Sequence, residues 1–548
     1  MKRFWVKLQR QGVIAKWATG FFVALALLLL VTFLDYGISW DENLQNMYGR
    51  WILKYFKSGF EDDLFLAIPS INGYGGLFDF LIAFFNQAVP SKYRIEFRHF
   101  FTVMTGFVAI LGVYFTGRTL AGKVGGLLAA ITLTAIPTFY GHIFMNPKDI
   151  PFACGYIWSL YFFILLLRAL PKPSKKLLWR AGLACGFAMG VRIGGLLLIA
   201  YLGLCFLLLL PVLNRRKQEV SFAINFKDLF FLGCKIVLIA YVVMIIFWPF
   251  ALQNPILNPF KALFQAGNFN RESIEMFEGK WLNSWDAKFP RHYLTKYFLV
   301  NLPEFVLIFI VPASLFFVVK CISLWRREKF SQSLGYFVVF FSLFFPLVYI
   351  HITGSPVYNG NRHFTFILPS LACLVGVFLS RILVWSRKKG TVAFATVTVC
   401  LGIYGAFHIW QLAKIHPYQY IYYNSFAGGL KAAEKNYELD YFATSNAELV
   451  RNFLRYTKKN PQLYPQNKIY KVAFCSDPLT LTHYLPKNYL LITSKKQAAS
   501  ADFLFTSPRH HTKQAKCFPE IQGKIVARVQ RQGVVLSYVM ALTPTKTN

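Results

Sequence analysis

Residues Asp35 to Phe56 read DYGISWDENLQNMYGRWILKYF and follow the first long apolar segment directly. The apolar residues of this stretch recur at the spacing of one helix face, namely Leu44, Met47, Tyr48, Trp51, Ile52, Tyr55 and Phe56. The opposite face carries the polar residues Asn43, Gln45, Asn46, Arg50, Lys54 and Lys57. A two-sided helix beside a membrane span is typical of one that lies in the membrane interface.

Two adjacent carboxylates, Asp41 and Glu42, stand at the start of this helix. We interpret them as the centre of an active site at the outer membrane surface. Ser39-Trp40-Asp41-Glu42 is also a capping box, in which Glu42 reaches back to the N-cap Ser39. Asp41 in the first turn would complement the helix dipole. A cap can hold a carboxylate in place, so the structural and chemical interpretations are compatible.

The composition indicates a membrane protein with many spans. Of the 548 residues, 55% are hydrophobic, and apolar runs near the length of about 18 residues that a span needs recur along the chain. The net charge of +35 does not indicate nucleic-acid binding, because the basic residues concentrate in short loops between apolar runs. By the positive-inside pattern, four basic loops predict the cytoplasmic face, at 168–180, 214–217, 320–329 and 387–389.

The N-terminus is basic and lacks a small-residue cleavage site, so we expect it to be cytoplasmic and to precede a retained first span. Eleven spans are predicted, at about 17–34, 99–117, 124–141, 152–167, two within 181–213, 230–249, 301–319, 334–350, 364–383 and 391–410. They form a transmembrane domain over residues 1–410, with a first outer loop at 35–98 and a second at 142–151. Residues 73–88 are predicted to form a second interfacial or re-entrant helix.

The chain becomes polar from Gln411 onward, and residues 411–548 are predicted to form a small extracytoplasmic α/β domain. Residues 503–505 and 534–539 read as strands within it. Cys475 and Cys517 lie in this region, where they either form a disulfide or remain unrelated free thiols. The other seven of the nine cysteines lie in or beside apolar spans, and we expect them to pack as small hydrophobic residues.

Two charged positions stand out among the apolar spans. Asp149 is the only carboxylate between Phe97 and Gln218, and it follows Lys148 in a turn bracketed by prolines. The two residues either pair locally at a water-facing turn or point at the same cavity as Asp41. Arg192 interrupts a glycine-rich apolar stretch. An ionisable group at that depth is rarely idle, although it can also snorkel to the interface.

The order of these features resembles the GT-C membrane glycosyltransferases. The resemblance is carried by Ser39-Trp40-Asp41-Glu42, by Asn146-Pro147-Lys148-Asp149 and by the glycine-rich segment around Arg192. It is greatest to glycosyltransferase family 39, which includes protein O-mannosyltransferases and lipid A aminoarabinose transferases, and it spans residues 1–410. The chain departs from that pattern at Tyr74-Gly75-Gly76-Leu77, where relatives often have a proline-rich turn.

The resemblance implies a polyprenyl-phosphate-linked sugar as donor, a hydroxyl of a lipid, glycan or protein as acceptor, and transfer with inversion at the outer face. Such a displacement needs one base and positive charge near the phosphate. Asp41 is the predicted base, and Glu42 orients it or serves only as the cap. Lys148 and Arg192 are predicted to bind the phosphate. Asp149 would orient Lys148 or bind the acceptor or a metal.

Three further loop residues, Asn146, Arg362 and His363, are candidate substrate-binding residues. No ligand spacing assigns a metal, and we assign no cofactor. We expect a multi-pass protein of the bacterial inner (plasma) membrane that contacts membrane lipids and no nucleic acid. A transporter or flippase for a lipid-linked sugar would also use broken helices and intramembrane charge, but the spans show no internal repeat. A glycan ligase or polymerase would share the donor chemistry.

Overall fold

The computed structural model describes residues 2–67, 69–216, 226–267, 274–283, 289–355, 357–474, 478–492, 500–507 and 523–542. The helices are α1 (Lys2–Thr32), α2 (Trp40–Lys57), α3 (Pro69–Asn72), α4 (Leu77–Phe85), α5 (Arg94–Thr134), α6 (Pro137–His142), α7 (Asp149–Ala169), α8 (Lys175–Val191), α9 (Leu196–Arg216), α10 (Phe226–Ile246), α11 (Pro249–Gln253), α12 (Leu257–Gly267), α13 (Tyr293–Asn301), α14 (Glu304–Arg326), α15 (Phe330–Thr353), α16 (Leu368–Lys389), α17 (Thr391–Lys414), α18 (Gly429–Ala433), α19 (Asn446–Lys459) and α20 (Leu479–Thr482). The strands are β1 (Ile274–Phe277), β2 (Lys280–Asn283), β3 (Tyr470–Phe474), β4 (Tyr489–Ile492), β5 (Phe503–Thr506), β6 (Gly523–Arg531) and β7 (Val534–Leu542).

Long apolar helices recur along the chain up to Lys414. Within the described ranges, nine helical stretches are long and apolar enough to cross a membrane. One of them, Ser91–Thr134, includes α5, which contains two helical segments joined at Gly122. Helix α8 has 17 residues and is shorter than these stretches, and Leu77–Ala88 forms a shorter apolar helix. All eleven predicted spans therefore fall on helices, and the predicted span at 124–141 is divided between the end of α5 and α6.

The two segments of α5 form a tight hairpin. Gly122 reverses the chain with a φ of 80°, a left-handed conformation that favours glycine. The segments then touch through glycines, since a Cβ atom on Gly126 would lie 2.5 Å from the carbonyl oxygen of Tyr114. Helix α16 packs as closely on the second segment, because a Cβ atom on Gly376 would lie 2.3 Å from the Ala129 nitrogen. Small residues thus set the packing of this buried core.

The helices α2 and α4 lie in the first predicted outer loop and pack against each other. The predicted polar face of α2 is partly wrong, because Gln45 and Asn46 are buried together with Tyr48 and Ile52. Burial of Gln45 follows from its position over Asp79 of α4, which is itself buried. The apolar periodicity correctly predicted the position of the helix. It did not predict that the buried face would include polar residues.

The chain after α17 combines helices with one mixed sheet of order β4-β3-β5-β7-β6. Strand β3 runs parallel to β4 and β5, whereas β7 runs antiparallel to β5 and β6. Strands β5 and β7 cover the two stretches that the sequence predicted as strands. Cys475 and Cys517 lie outside the described residues, as does Lys217 of a predicted basic loop.

Candidate active site

The start of α2 forms the capping box that the sequence predicted. The Ser39 amide donates to Glu42 Oε2 at 2.7 Å, and His99 Nε2 lies 3.0 Å from Glu42 Oε1. Glu42 is fully buried in this position. The Ser39 hydroxyl donates to the Met145 carbonyl at 2.8 Å, which ties the helix start to the turn before α7. Glu42 therefore faces the protein interior and holds the first turn of α2.

Asp41 points to a different set of partners. Its Oδ2 atom accepts from Arg362 Nη1 at 2.7 Å, and the Arg362 side chain is 4% exposed while that of Asp41 is 21% exposed. The Arg362 guanidinium also lies 5.3 Å from the Tyr358 ring centroid and 5.1 Å from that of Phe442. These rings shield the cation from solvent. Arg362 is therefore buried and held in position, whereas the Asp41 carboxylate that it contacts remains partly accessible to solvent.

Asn146 organises the turn before α7. Its Oδ1 atom accepts from the backbone amides of Lys148 (3.2 Å) and Asp149 (2.9 Å), and its Nδ2 atom donates to Asp149 Oδ2 at 2.7 Å. The other Asp149 oxygen, Oδ1, pairs with Arg192 Nη2. The local Lys148–Asp149 pair that the sequence left open is thus replaced by a pair across two helix ends, because Arg192 lies in the break after α8.

The described contacts of the Lys148 amine are to two neutral side chains. Its Nζ atom lies 3.7 Å from the centroid of the Tyr74 ring. With the Gln45 amide nitrogen turned toward the Asp79 carboxylate at 2.5 Å, the Gln45 oxygen accepts from Lys148 Nζ at 2.8 Å. Burial lowers the pKa of Lys148 to about 8, an effect that the charge of Asp41 opposes. Burial also raises the pKa of Asp79, against the effect of its partner Arg98.

These contacts converge on one tyrosine. Five charged side chains lie around Tyr74 and are called the charged cluster below; they are Asp41, Lys148, Asp149, Arg192 and Arg362. Carboxylates and cations alternate in it through the pairs Asp41–Arg362 and Asp149–Arg192. The charged cluster can bind an anion through its cations and can accept a proton through a carboxylate.

The sequence and the fold were compared with known proteins. The model of the dolichyl-phosphate-mannose-protein mannosyltransferase family matches residues 77–251, which include Lys148, Asp149 and Arg192. The archaeal oligosaccharyltransferase AglB from Archaeoglobus fulgidus, solved with an inhibitory peptide and a dolichol-phosphate, has a similar fold. The TM-score is 0.50 at 13% identity, over 97% of this chain and 74% of that chain. The family model and the fold agree with the predicted resemblance to the GT-C membrane glycosyltransferases.

A second solved structure, ArnT from Cupriavidus metallidurans bound to undecaprenyl phosphate, gives a TM-score of 0.47 at 15% identity. It covers 96% of this chain and 99% of that chain. A search of curated protein sequences gives no match. In the part of the chain that the structure describes, no group of three or more His, Cys, Asp or Glu side chains could hold a metal ion.

Three aromatic side chains beside the charged cluster, His142, Tyr441 and Tyr74, were not among the predicted site residues. His142 is fully buried, with Nδ1 2.8 Å from Asn146 Nδ2 and Nε2 2.9 Å from the Tyr441 hydroxyl. Burial lowers the pKa of His142 to about 4, so the ring is neutral at neutral pH. Tyr441 lies in the chain after the last span, and no local sequence pattern indicates that it reaches His142. Of the three, only Tyr74 could have been noticed in the sequence, because it lies where the chain departs from the proline-rich turn of relatives.

The remaining predicted substrate-binding residue, His363, directly follows Arg362. Its ring packs edge to face against Tyr358, with the centroids 4.6 Å apart. The same Tyr358 ring shields Arg362. His363 therefore borders the charged cluster through an aromatic neighbour.

Proposed function

We propose that this protein is a glycosyltransferase that moves a sugar from a polyprenyl-phosphate-linked donor to a hydroxyl of a lipid, glycan or protein acceptor, with inversion, at the outer face of the membrane. The observation that carries the proposal is the charged cluster, in which the carboxylate of Asp41 lies among Lys148, Arg192 and Arg362. The dolichol-phosphate in the structure of AglB supports a lipid phosphate as the leaving group.

The proposed step is a single displacement. The acceptor oxygen attacks the anomeric carbon while the bond from that carbon to the phosphate oxygen breaks, and the bonding electrons leave with the phosphate. The acceptor proton passes to Asp41. A lipid phosphate is stable as an anion, so no second carboxyl group needs to protonate it, in contrast to a glycosidase. The cations of the charged cluster stabilise the negative charge that develops on the phosphate.

The contacts of the three cations support a different role for each. Arg362 and Arg192 are each paired with a carboxylate, whereas the described contacts of the Lys148 amine are to Gln45 and to the Tyr74 ring. We assign the principal phosphate contact to Lys148, with Arg192 reinforcing it. Arg362 fixes the Asp41 carboxylate and stabilises its charged form, which a base requires. We assign Glu42 to the helix cap, and its hydrogen bond with the Ser39 amide supports this assignment.

The test is Asp41→Asn, which keeps the size of the side chain and removes its basicity. Purified protein is incubated with radiolabelled polyprenyl-phosphate sugars and an acceptor extract, and loss of sugar from the donor is measured. We expect turnover to fall by about 10²–10⁴-fold, the contribution of a positioned base. Binding of undecaprenyl phosphate should stay within about threefold of the wild type, since the phosphate contacts are intact.

The matched control is Glu42→Gln, which removes one negative charge at the adjacent position. Glutamine also serves as the third residue of a capping box, so we expect turnover within about tenfold of the wild type. Near-normal transfer by Asp41→Asn would remove Asp41 from the mechanism. Movement of the donor across a vesicle membrane without release of sugar from its phosphate would instead identify a flippase.

A further inference from the structure

The loop that carries Tyr74 is anchored from two sides. Trp248 Nε1 donates to the Asn72 carbonyl at 2.8 Å, and the Tyr48 hydroxyl donates to the Tyr74 carbonyl at 2.9 Å. Trp248 and Tyr48 are both fully buried. Tyr48 belongs to α2, and Trp248 lies between α10 and α11. Two separate elements therefore fix the backbone on either side of the Tyr74 ring.

Two glycines allow this loop to pass between the helices. A Cβ atom on Gly75 would lie 2.1 Å from the carbonyl oxygen of Gly190 in α8. A Cβ atom on Gly76 would lie 2.0 Å from Ile52 Cδ1 in α2. No larger residue fits at either position without a shift of the surrounding chain. The sequence Tyr74-Gly75-Gly76 thus places an aromatic ring at a fixed point between helices.

Two cations from different elements meet that ring. Lys148 Nζ lies 3.7 Å from its centroid and Arg192 Cζ lies 5.8 Å from it, both within the range of a cation–π interaction. The two cations repel each other, and the repulsion is poorly screened where both side chains are largely shielded from water. The negative face of an aromatic ring offsets part of that repulsion.

We infer that Tyr74 is a positioning residue, whose ring keeps Lys148 charged and close to Arg192 so that both can meet the phosphate of a lipid-linked donor. The phosphate part of this inference rests on the proposed function. The interaction acts through the face of the ring, so phenylalanine should replace tyrosine, whereas an aliphatic residue should not. The hydroxyl group is not required for it.

The state of the Lys148 amine reports on the ring directly. The other titratable groups that act on this amine are Asp41, Asp79, Arg192 and Tyr358. Burial already lowers the pKa of Lys148 to about 8, and the ring favours the charged form. Removal of the ring should lower this pKa further. The charged amine, and any phosphate binding that depends on it, would then be lost at a lower pH than in the wild type.

The experiment compares Tyr74→Phe with Tyr74→Leu in the full-length protein. An amine-reactive reagent is applied to the ligand-free protein across a pH series, and labelling of Lys148 is measured by peptide mass spectrometry. We expect the midpoint for Tyr74→Phe to match the wild type. The midpoint for Tyr74→Leu should fall by about 0.4–1.5 pH units, and undecaprenyl phosphate should bind about 2–30-fold more weakly to it.

The two measurements separate two kinds of failure. Equal midpoints in the wild type, Tyr74→Phe and Tyr74→Leu would overturn the role of the ring, even if the wild type binds undecaprenyl phosphate. If the midpoint falls in Tyr74→Leu but the wild type does not bind this lipid, the role of the ring is supported and the lipid phosphate is rejected as the ligand. If Tyr74→Leu does not yield folded protein, Tyr74→Met has a more flexible side chain of similar volume, which can adapt to the space left by the ring and gives the same comparison.

Discussion

At the scale of single residues, one substitution cannot separate the pairing of Arg192 with Asp149 from its proposed contact with the phosphate. The Asp149 side chain is 4% exposed, so Arg192→Met would leave a buried carboxylate without its cation. We expect this variant to lose about 3 kcal/mol of stability and also to bind undecaprenyl phosphate more weakly. Thermal unfolding in detergent and lipid titration measure the two effects.

The double variant Arg192→Met/Asp149→Asn separates the effect on stability from the effect on lipid binding. It removes both charges, so we expect most of the lost stability to return, since no unpaired charge is left behind. Lipid phosphate binding should remain weak, because the cation is still absent. Recovery of wild-type binding in the double variant would show that Arg192 serves the structure and that Lys148 alone meets the phosphate.

At the scale of elements, the α5 hairpin depends on backbone contact between its two segments. A Cβ atom at Gly126 would lie 2.5 Å from the Tyr114 carbonyl oxygen, whereas one at Gly402 in α17 meets nothing within 4 Å. We expect Gly126→Ala to cost about 1–3 kcal/mol through overpacking and to lower the unfolding temperature. Gly402→Ala, the matched control, should be neutral or slightly stabilising. Equal behaviour of the two variants would contradict the tight hairpin.

At the scale of the whole molecule, the region after the last span closes over the charged cluster. The Trp40 amide donates to the Phe442 carbonyl at 3.2 Å, and the Tyr36 hydroxyl donates to Gln419 Oε1 at 2.6 Å. Tyr36 and Gln419 are 383 positions apart. The start of α2, which carries Asp41, is thus held in place by residues that follow the last span. We therefore predict that the C-terminal region lies on the same side of the membrane as Asp41.

Sidedness can be measured with two single-cysteine variants in a background without native cysteines. Lys458 at the end of α19 and Lys388 at the end of α16 are both exposed. The basic residues in the last turn of α16 predict a cytoplasmic location for Lys388. We expect an impermeant thiol reagent to label Lys458→Cys in intact spheroplasts and Lys388→Cys only after lysis. The reverse pattern would move Asp41 to the cytoplasmic face.

The sequence by itself determined the features that depend on neighbouring residues. Span positions follow from the hydropathy of about 20 consecutive residues, so all eleven fell on helices. The capping box of α2 needs only Ser39 and Glu42, three positions apart, and it forms as predicted. Strands β5 and β7 were also recognised, because their apolar residues form short local runs.

Only the tertiary structure decided which charged groups meet. Asp41 and Arg362 are 321 positions apart, and Asp149 and Arg192 are 43 apart, so no periodicity links them. Tertiary packing also turned Gln45 of α2 inward, because buried polar groups need partners and Asp79 and Lys148 supply them. Hydropathy places a helix in the membrane, but the pairing of charges depends on which helix ends the packing brings together.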